Sequence, residues 1–84
     1  MSALEVSLLR LKVVAEADPG AVARVLERFE NLNLLPRRSI TEFGIDDTIH
    51  IRVDVCGLPE EQLKIIAAKI GQATSVVTAH WHRV

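Results

Sequence analysis

The chain has 84 residues, of which 49% are apolar, 25% charged and 4% aromatic, and its formal net charge is -1. This length fits one domain, and the composition is that of a folded globular chain rather than a disordered one. Lys and Arg number 10 against 11 Asp and Glu, so no overall basic field favours nucleic acid or an anionic membrane as a partner. The first residues lack a signal-peptide pattern, no apolar run approaches the ~20 residues of a membrane span, and the single Cys56 cannot form an internal disulfide. We therefore expect a cytoplasmic protein.

The first predicted strand covers residues 5–14. Its aliphatic residues alternate imperfectly, and both faces carry some apolar side chains, which is typical of a central strand. The residues on one face are Leu9, Leu11 and Val13, and those on the other are Val6, Leu8, Arg10 and Lys12.

A helix is predicted after the sequence Asp18-Pro19-Gly20. Asp18 is a good N-cap, and Pro19 suits the first helical position, where a missing N–H is tolerated. Asn33 lies where this helix should end, because Asn tolerates the left-handed conformation that closes many helices. The apolar residues at helical spacing are Val22, Val25, Leu26, Phe29 and Leu32.

The second strand is predicted over residues 34–43, at a sheet edge because Pro36 has no backbone donor. A turn at residues 44–47 joins it to the third strand, Thr48–Cys56, which alternates cleanly between apolar and polar side chains. Its predicted core residues are Ile49, Ile51, Val53 and Val55.

The second helix is predicted to begin near Pro59 and to stop at Gly71. Its apolar stripe comprises Leu63, Ile66, Ala67 and Ile70. The fourth strand covers residues 75–84, with Val77, Ala79 and Trp81 on one face. We interpret Trp81 as a core or dimer anchor.

The order β-α-β-β-α-β predicts an α+β ferredoxin-like sandwich that occupies residues 1–84 as a single domain. Right-handed crossovers place both helices on one face of a four-stranded antiparallel sheet. The strands should lie in the order fourth, first, third, second. This fold hosts many functions, so the function must come from particular residues.

Residues 13–25, with their strand, short loop, Pro19-Gly20 and aliphatic helix, resemble the opening of an ACT domain. Phe29 followed by Leu32-Asn33-Leu34 is similar to the end of the first helix in that family, and the β-α-β-β-α-β order covers nearly the whole chain. The likeness extends to freestanding ACT modules and to small subunits of acetolactate synthase. It implies a non-catalytic regulatory module that senses a small, amino-acid-like effector, acting as a homodimer or as the regulatory subunit of a biosynthetic enzyme.

In the family, the loop before the first helix and the start of the second strand line the ligand pocket. Many amino-acid-sensing members have a polar Asn early in that strand, whereas this chain has Leu35, so the anchor for the amino group is missing or moved. Arg37 and Arg38 could pair with an acidic ligand or partner, or lie on a solvated edge. The candidate ligand-binding residues are Asp18, Pro19, Gly20, Ala21, Leu35 and Arg37.

Other chemistry has weaker support. His80 and His82 could share Zn²⁺ or Ni²⁺, but a third ligand is not evident, because the first strand should separate His50 from them. Cys56 is predicted to be a buried or half-buried structural residue. No phosphate-binding or hydrolase motif occurs. We expect no catalytic residue, metal or cofactor. The carboxylates expected in solvated positions are Glu42, Asp46, Asp47 and Asp54.

Three alternatives remain open. The chain could be a structural interaction domain with no ligand. It could be a small enzyme, although an acylphosphatase-like loop would need an Arg that residues 15–20 lack, and a dimeric α+β-barrel enzyme would need more polar inner residues. It could bind RNA, but its two central strands carry Arg and Lys with no aromatic on their polar faces.

Overall fold

The elements follow the predicted order in a computed structural model, which describes residues 7–84. Glu5 and Val6, placed in the first strand by the sequence, lie outside the described residues. The elements are β1 (Leu8–Glu16), α1 (Ala21–Glu30), β2 (Arg38–Phe43), β3 (Thr48–Cys56), α2 (Glu60–Gly71) and β4 (Val76–Arg83).

The strands form one antiparallel sheet in the order β2-β3-β1-β4, which confirms the predicted order and the ferredoxin-like class. β1 lies between β3 and β4, with Leu11 opposite Val53 on one side and Trp81 on the other. The central position explains why β1 is aliphatic over most of its length.

The core lies between the sheet and both helices. β1 and β3 each send alternate side chains into it, so the period-two pattern of the sequence is the burial pattern of the structure. Each helix adds the stripe that its spacing predicts. Phe29 and Leu63, one from each helix, are fully buried. The buried strand residues are Leu9, Leu11, Val13, Ala15, Ile49, Ile51, Val53 and Val55.

α1 ends in a Schellman arrangement around Asn33, which has a φ of 57°. The Leu34 N–H donates to the Phe29 carbonyl at 3.0 Å, and the Asn33 N–H donates to the Glu30 carbonyl at 2.8 Å. The predicted left-handed Asn at this helix end is confirmed. Gly71 is the last residue of α2, which confirms the predicted stop there, although Gly71 has no positive φ.

β4 contains an irregularity that the alternation of its sequence does not show. Val14 pairs with Thr78, but the next residue, Ala15, pairs with Val76, so Val77 is left without a partner on β1. The prediction that Val77 shares a face with Ala79 and Trp81 is wrong, because this bulge turns Val77 to solvent, where it is 62% exposed. Val76, Ala79 and Trp81 pack against the core instead.

β2 is the predicted edge strand, but it begins at Arg38 rather than at residue 34. Pro36 lies outside the ladder, as a residue without a backbone donor should. The β2–β3 turn places Asp46 and Asp47 at φ values of 58° and 56°, the left-handed pair that a tight hairpin requires.

Candidate functional site

The turn between β1 and α1 contains the first part of the candidate site. Asp18 and Pro19 precede an N-cap at Gly20, and the Ala21 N–H donates to the Asp18 carbonyl at 2.9 Å. The predictions of Asp18 as the N-cap and Pro19 as the first helical residue are therefore wrong, because α1 begins two residues later. Among residues 7–84, no side chain caps the start of α1 by a hydrogen bond.

The Asp18 carboxylate instead pairs with the Arg24 guanidinium, one turn into α1. The hydrogen bond from Arg24 lowers the pKa of Asp18, with help from the Gly20 N–H and against a smaller effect of burial. About half of the Arg24 side chain remains exposed. Sequence reasoning did not find this contact with Arg24, although a six-residue spacing across a Pro-Gly turn allows it.

Gly20 leaves room for this ion pair. A Cβ added at Gly20 would lie 2.6 Å from Arg24 Nη1, so Arg24 would have to move. The φ of Gly20 is -84°, a value open to any residue, so its role here is close approach rather than backbone freedom. The turn thus presents an exposed carboxylate and an exposed guanidinium side by side.

The second part of the candidate site lies before β2. The Leu35 side chain is 90% exposed, and the Arg37 side chain is exposed while its N–H donates to the Asp54 carbonyl at 2.8 Å. Asp54 lies opposite Arg10 on β1, whereas the Asp18 turn follows the other end of β1. Six residues of β1 separate Arg10 from Glu16, the last residue before the turn, which is about 20 Å at roughly 3.4 Å per residue. Within one chain, the two groups of candidate residues are therefore not brought together.

Exposed apolar side chains lie at the end of β2 and in the segments before and after it. Phe43, its last residue, is 86% exposed, and Ile45 in the adjoining turn is 82% exposed. Phe43 pairs with the buried Ile49, so it points to the helix side of the sheet, but no helix covers it there. A groove of about 480 Å³ lies between α1 and the start of β2, with Leu26 and Leu35 among its lining residues.

The other face of the sheet, which we call the open face, carries a partly buried ion pair. Arg10 Nε and Nη2 donate to Asp54 Oδ1 and Oδ2 at 2.8 and 3.1 Å. These hydrogen bonds lower the pKa of Asp54, assisted by the charges of Arg52 and Arg38. The expectation that Asp54 is solvated is wrong, since it is 4% exposed. The register of β1 and β3 is the signal that would have placed Asp54 beside Arg10.

The histidines and the cysteine do not form a chemical centre. His80 lies opposite Lys12 and His82 opposite Arg10, so both have cationic neighbours on β1. Within residues 7–84, no group of three His, Cys, Asp or Glu could hold a metal ion. Cys56 is a free, half-buried thiol at the end of β3, as predicted.

The β-α-β-β-α-β fold and the Pro19-Gly20 turn before α1 can now be compared with known protein families. A family model described as an ACT-like domain matches residues 3–84, and the chain belongs to this family. ACT domains are regulatory, non-catalytic modules that bind ligands and occur in the regulatory parts of enzymes.

Among solved structures, the chain is similar to the C-terminal domain of the MgtC protein from Mycobacterium tuberculosis, with a TM-score of 0.77 and 18% identity over 100% of this chain and 94% of that one. The ACT domain of GTP pyrophosphokinase from Chlorobium tepidum gives a TM-score of 0.73 and 13% identity over 89% and 96% of the two chains. A homoserine dehydrogenase from Thiobacillus denitrificans gives a TM-score of 0.74 and 16% identity, and the match covers 95% of this chain and 18% of the enzyme. At these identities the likeness shows the fold alone.

No curated protein matches the sequence. None of the helices found in residues 7–84 has the length and apolar content to cross a membrane.

Proposed function

We propose that the chain is a sensing module that binds a small amino-acid-like effector between two copies of itself. The observation that carries this proposal is that the two groups of candidate residues lie far apart within one chain. The Asp18 turn and the Leu35–Arg37 segment lie at opposite ends of the sheet, so a second copy is needed to bring them near each other.

Antiparallel pairing of two β2 edges would supply that second copy. Across a two-fold axis, the start of β2 in one chain lies beside the end of β2 in its partner. The end of β2 and the Asp18 turn lie at the same end of the sheet, because the Ala17 N–H donates to the Asp47 carbonyl at 2.8 Å. The same pairing would cover Phe43 and the groove that Leu35 lines, which a single chain leaves exposed.

The exposed Asp18–Arg24 pair suits a zwitterion. A free amino acid would present its ammonium group to Asp18 and its carboxylate to Arg24, exchanging one ion pair for two. A guanidinium binds a carboxylate through two parallel hydrogen bonds, which gives direction as well as attraction. This assignment supplies the amino-group anchor that Leu35 cannot, and it keeps Pro19, Gly20 and Ala21 as the backbone of the site.

Calorimetric titration with a panel of branched-chain and other amino acids tests the proposal. We expect one of them to bind in the millimolar range or tighter, and Arg24→Gln to weaken that binding by about tenfold. Lys64→Gln, at an exposed position on α2, also removes one positive charge and should leave binding unchanged. If no amino acid binds at several millimolar, the sensing role fails.

A purely structural interaction domain is the second candidate. The satisfied hydrogen bonds of the Asp18 turn favour it, because the turn is complete without a ligand. In that case two copies would associate and no effector would bind. A biosynthetic enzyme subunit as a further partner and a cytoplasmic location remain predictions.

A further inference from the structure

Two neighbouring rows of side chains on the open face of the sheet differ in their charge balance. The first row contains a carboxylate that neutralises one of its arginines, whereas the second row contains no acid. Read from β2 through β3 and β1 to β4, the first row is Arg38, Asp54, Arg10 and His82, and the second is Ile40, Arg52, Lys12 and His80.

The second row places two permanent cations directly opposite each other. Arg52 and Lys12 are cross-strand partners, and opposite side chains in an antiparallel pair have Cβ atoms about 4.5–5.5 Å apart. Like charges at this separation destabilise a sheet. Neither side chain forms a salt bridge within residues 7–84, although three other pairs there do. The second row itself contains no carboxylate to offset this repulsion, although Asp54 of the first row interacts with the charge of Arg52.

Arg52 supplies a second, independent observation. Its Nε is buried and is the buried side-chain polar atom without a hydrogen-bond partner in the described part of the chain. Buried polar atoms are nearly always paired, so the Arg52 guanidinium is not fully satisfied by hydrogen bonds within the described residues.

A cavity lies over this row. Its volume is about 320 Å³, and its lining includes Lys12, Arg52, His50, His80, Glu42 and Ile40. That volume lies at the lower end of the range for small-molecule pockets. His50 and His80 add imidazole N–H donors to the two permanent charges.

We propose that this open-face cavity binds a small polyanion, with a phosphate-type group held between Lys12 and Arg52. The planar guanidinium can donate two hydrogen bonds to phosphate oxygens, while the ammonium acts as a point charge. A second copy of the chain is a poor occupant, because two such rows would repel each other. Single-stranded nucleic acid is also disfavoured, since no aromatic residue lies on the open face of β1 or β3 to stack against bases. This site is independent of the proposed effector site at the Asp18 turn.

Titration calorimetry of the full chain with pyrophosphate, at constant ionic strength set with NaCl, tests the proposal. We expect a dissociation constant on the order of 1 mM or lower, and about tenfold weaker binding for Lys12→Gln and for Arg52→Gln. Arg28→Gln on α1 is the matched charge control and should bind within about twofold of the parent chain. Glu42→Gln should strengthen binding, because it removes the one carboxylate that lines the cavity.

Two results would overturn the proposal. One is no detectable binding of pyrophosphate at about 10 mM, and the other is an equal loss of affinity in Lys12→Gln and Arg28→Gln, which would mean non-specific attraction. Binding of single-stranded RNA in a Lys12-dependent way, without binding of pyrophosphate, would likewise replace the small polyanion by a nucleic acid. Lys12 is exposed, so its variant keeps the test valid even if Arg52→Gln lowers stability.

Discussion

Asp54 is a charged residue in a strand whose other buried side chains are apolar. Removing a carboxylate from water is unfavourable unless its oxygens are paired, and Arg10 pairs with both of them. Only 23% of the Arg10 side chain is exposed, so the pair is shielded from water and salt more than a surface salt bridge. The same carboxylate also offsets the charges of Arg38 and Arg52 beside it.

Asp54→Asn should lower the free energy of unfolding by about 1.5–3 kcal/mol at neutral pH, because Arg10 loses a charged, two-point partner. For a domain of this size that is a large share of the ~4–12 kcal/mol expected in total. Urea denaturation followed by circular dichroism measures the change. Asp46→Asn makes the same substitution in an exposed turn and should change stability by less than about 0.5 kcal/mol.

The Arg10–Asp54 pair should make the folded chain less stable as the pH falls. The pKa of Asp54 is lower in the folded chain than its ordinary value of 3.8, so its contribution is complete above about pH 4 and is lost as the pH falls through the folded-state pKa. Unfolding curves between pH 6 and about pH 2 should therefore show a steeper loss for the parent chain than for Asp54→Asn. Parallel losses in the two proteins would contradict this role.

At the scale of single elements, backbone conformation decides where helices end and strands bend. Asn33 closes α1 because it holds a φ of 57° while two backbone hydrogen bonds form around it. In β4, the extra residue at Val77 shifts the alternation between Val76 and Thr78. Both features change which side chains reach the core, and neither depends on a change in hydrophobicity.

Asn33→Ala should destabilise the chain by about 1 kcal/mol, because Ala in the left-handed region brings its Cβ close to the following carbonyl oxygen. Asn33→Gly should be neutral or stabilising, since Gly has no Cβ. Asn31→Ala is the control, because Asn31 has a φ of -62° and Ala fits there without strain. Thermal unfolding of the three variants ranks them, and equal melting temperatures for Asn33→Ala and Asn31→Ala would show that the turn tolerates Ala.

At the scale of the whole molecule, the most exposed large apolar side chains lie along the edge of β2. Leu35, Phe43 and Ile45 are each more than four-fifths exposed along one side of a domain that is otherwise well packed. Isolated exposed apolar residues are ordinary, but a series beside an unpaired strand edge favours pairing with another chain.

Thr41→Pro should weaken self-association through this edge. The Gly44 N–H donates to the Thr48 carbonyl at 2.8 Å, so by alternation the Thr41 N–H points away from β3 towards the free edge. Proline removes that donor, whereas Thr41→Val keeps it and serves as the control. We expect sedimentation to show a dimer for the parent and for Thr41→Val at high micromolar concentration, and a monomer for Thr41→Pro. A monomeric parent chain would contradict pairing through β2.

The sequence predicted the sheet order and most of the core, because alternation in Thr48–Cys56 and helical spacing around Phe29 and Leu63 are strong local signals. It could not predict contacts that depend on register or on a shift of one residue. Asp54 was misplaced because its partner lies 44 residues away, and Val77 was misplaced because a bulge leaves no mark on the alternation. In the candidate site, the Pro-Gly turn was recognised, but Arg24 was not, since its contact depends on where α1 begins.

The central position of β1 also determines the order in which the sheet can assemble during synthesis. Both partners of β1 are translated after it, β3 first and β4 later, so its apolar face leaves the ribosome with no strand to pair with. The β2–β3 hairpin is local and can form as soon as residue 56 has emerged, whereas pairing of β1 with β3 must close a loop of about 31 residues, 17–47. The nascent chain therefore exposes its most aliphatic strand for longest, which makes this segment the natural target for chaperones that bind extended apolar sequence.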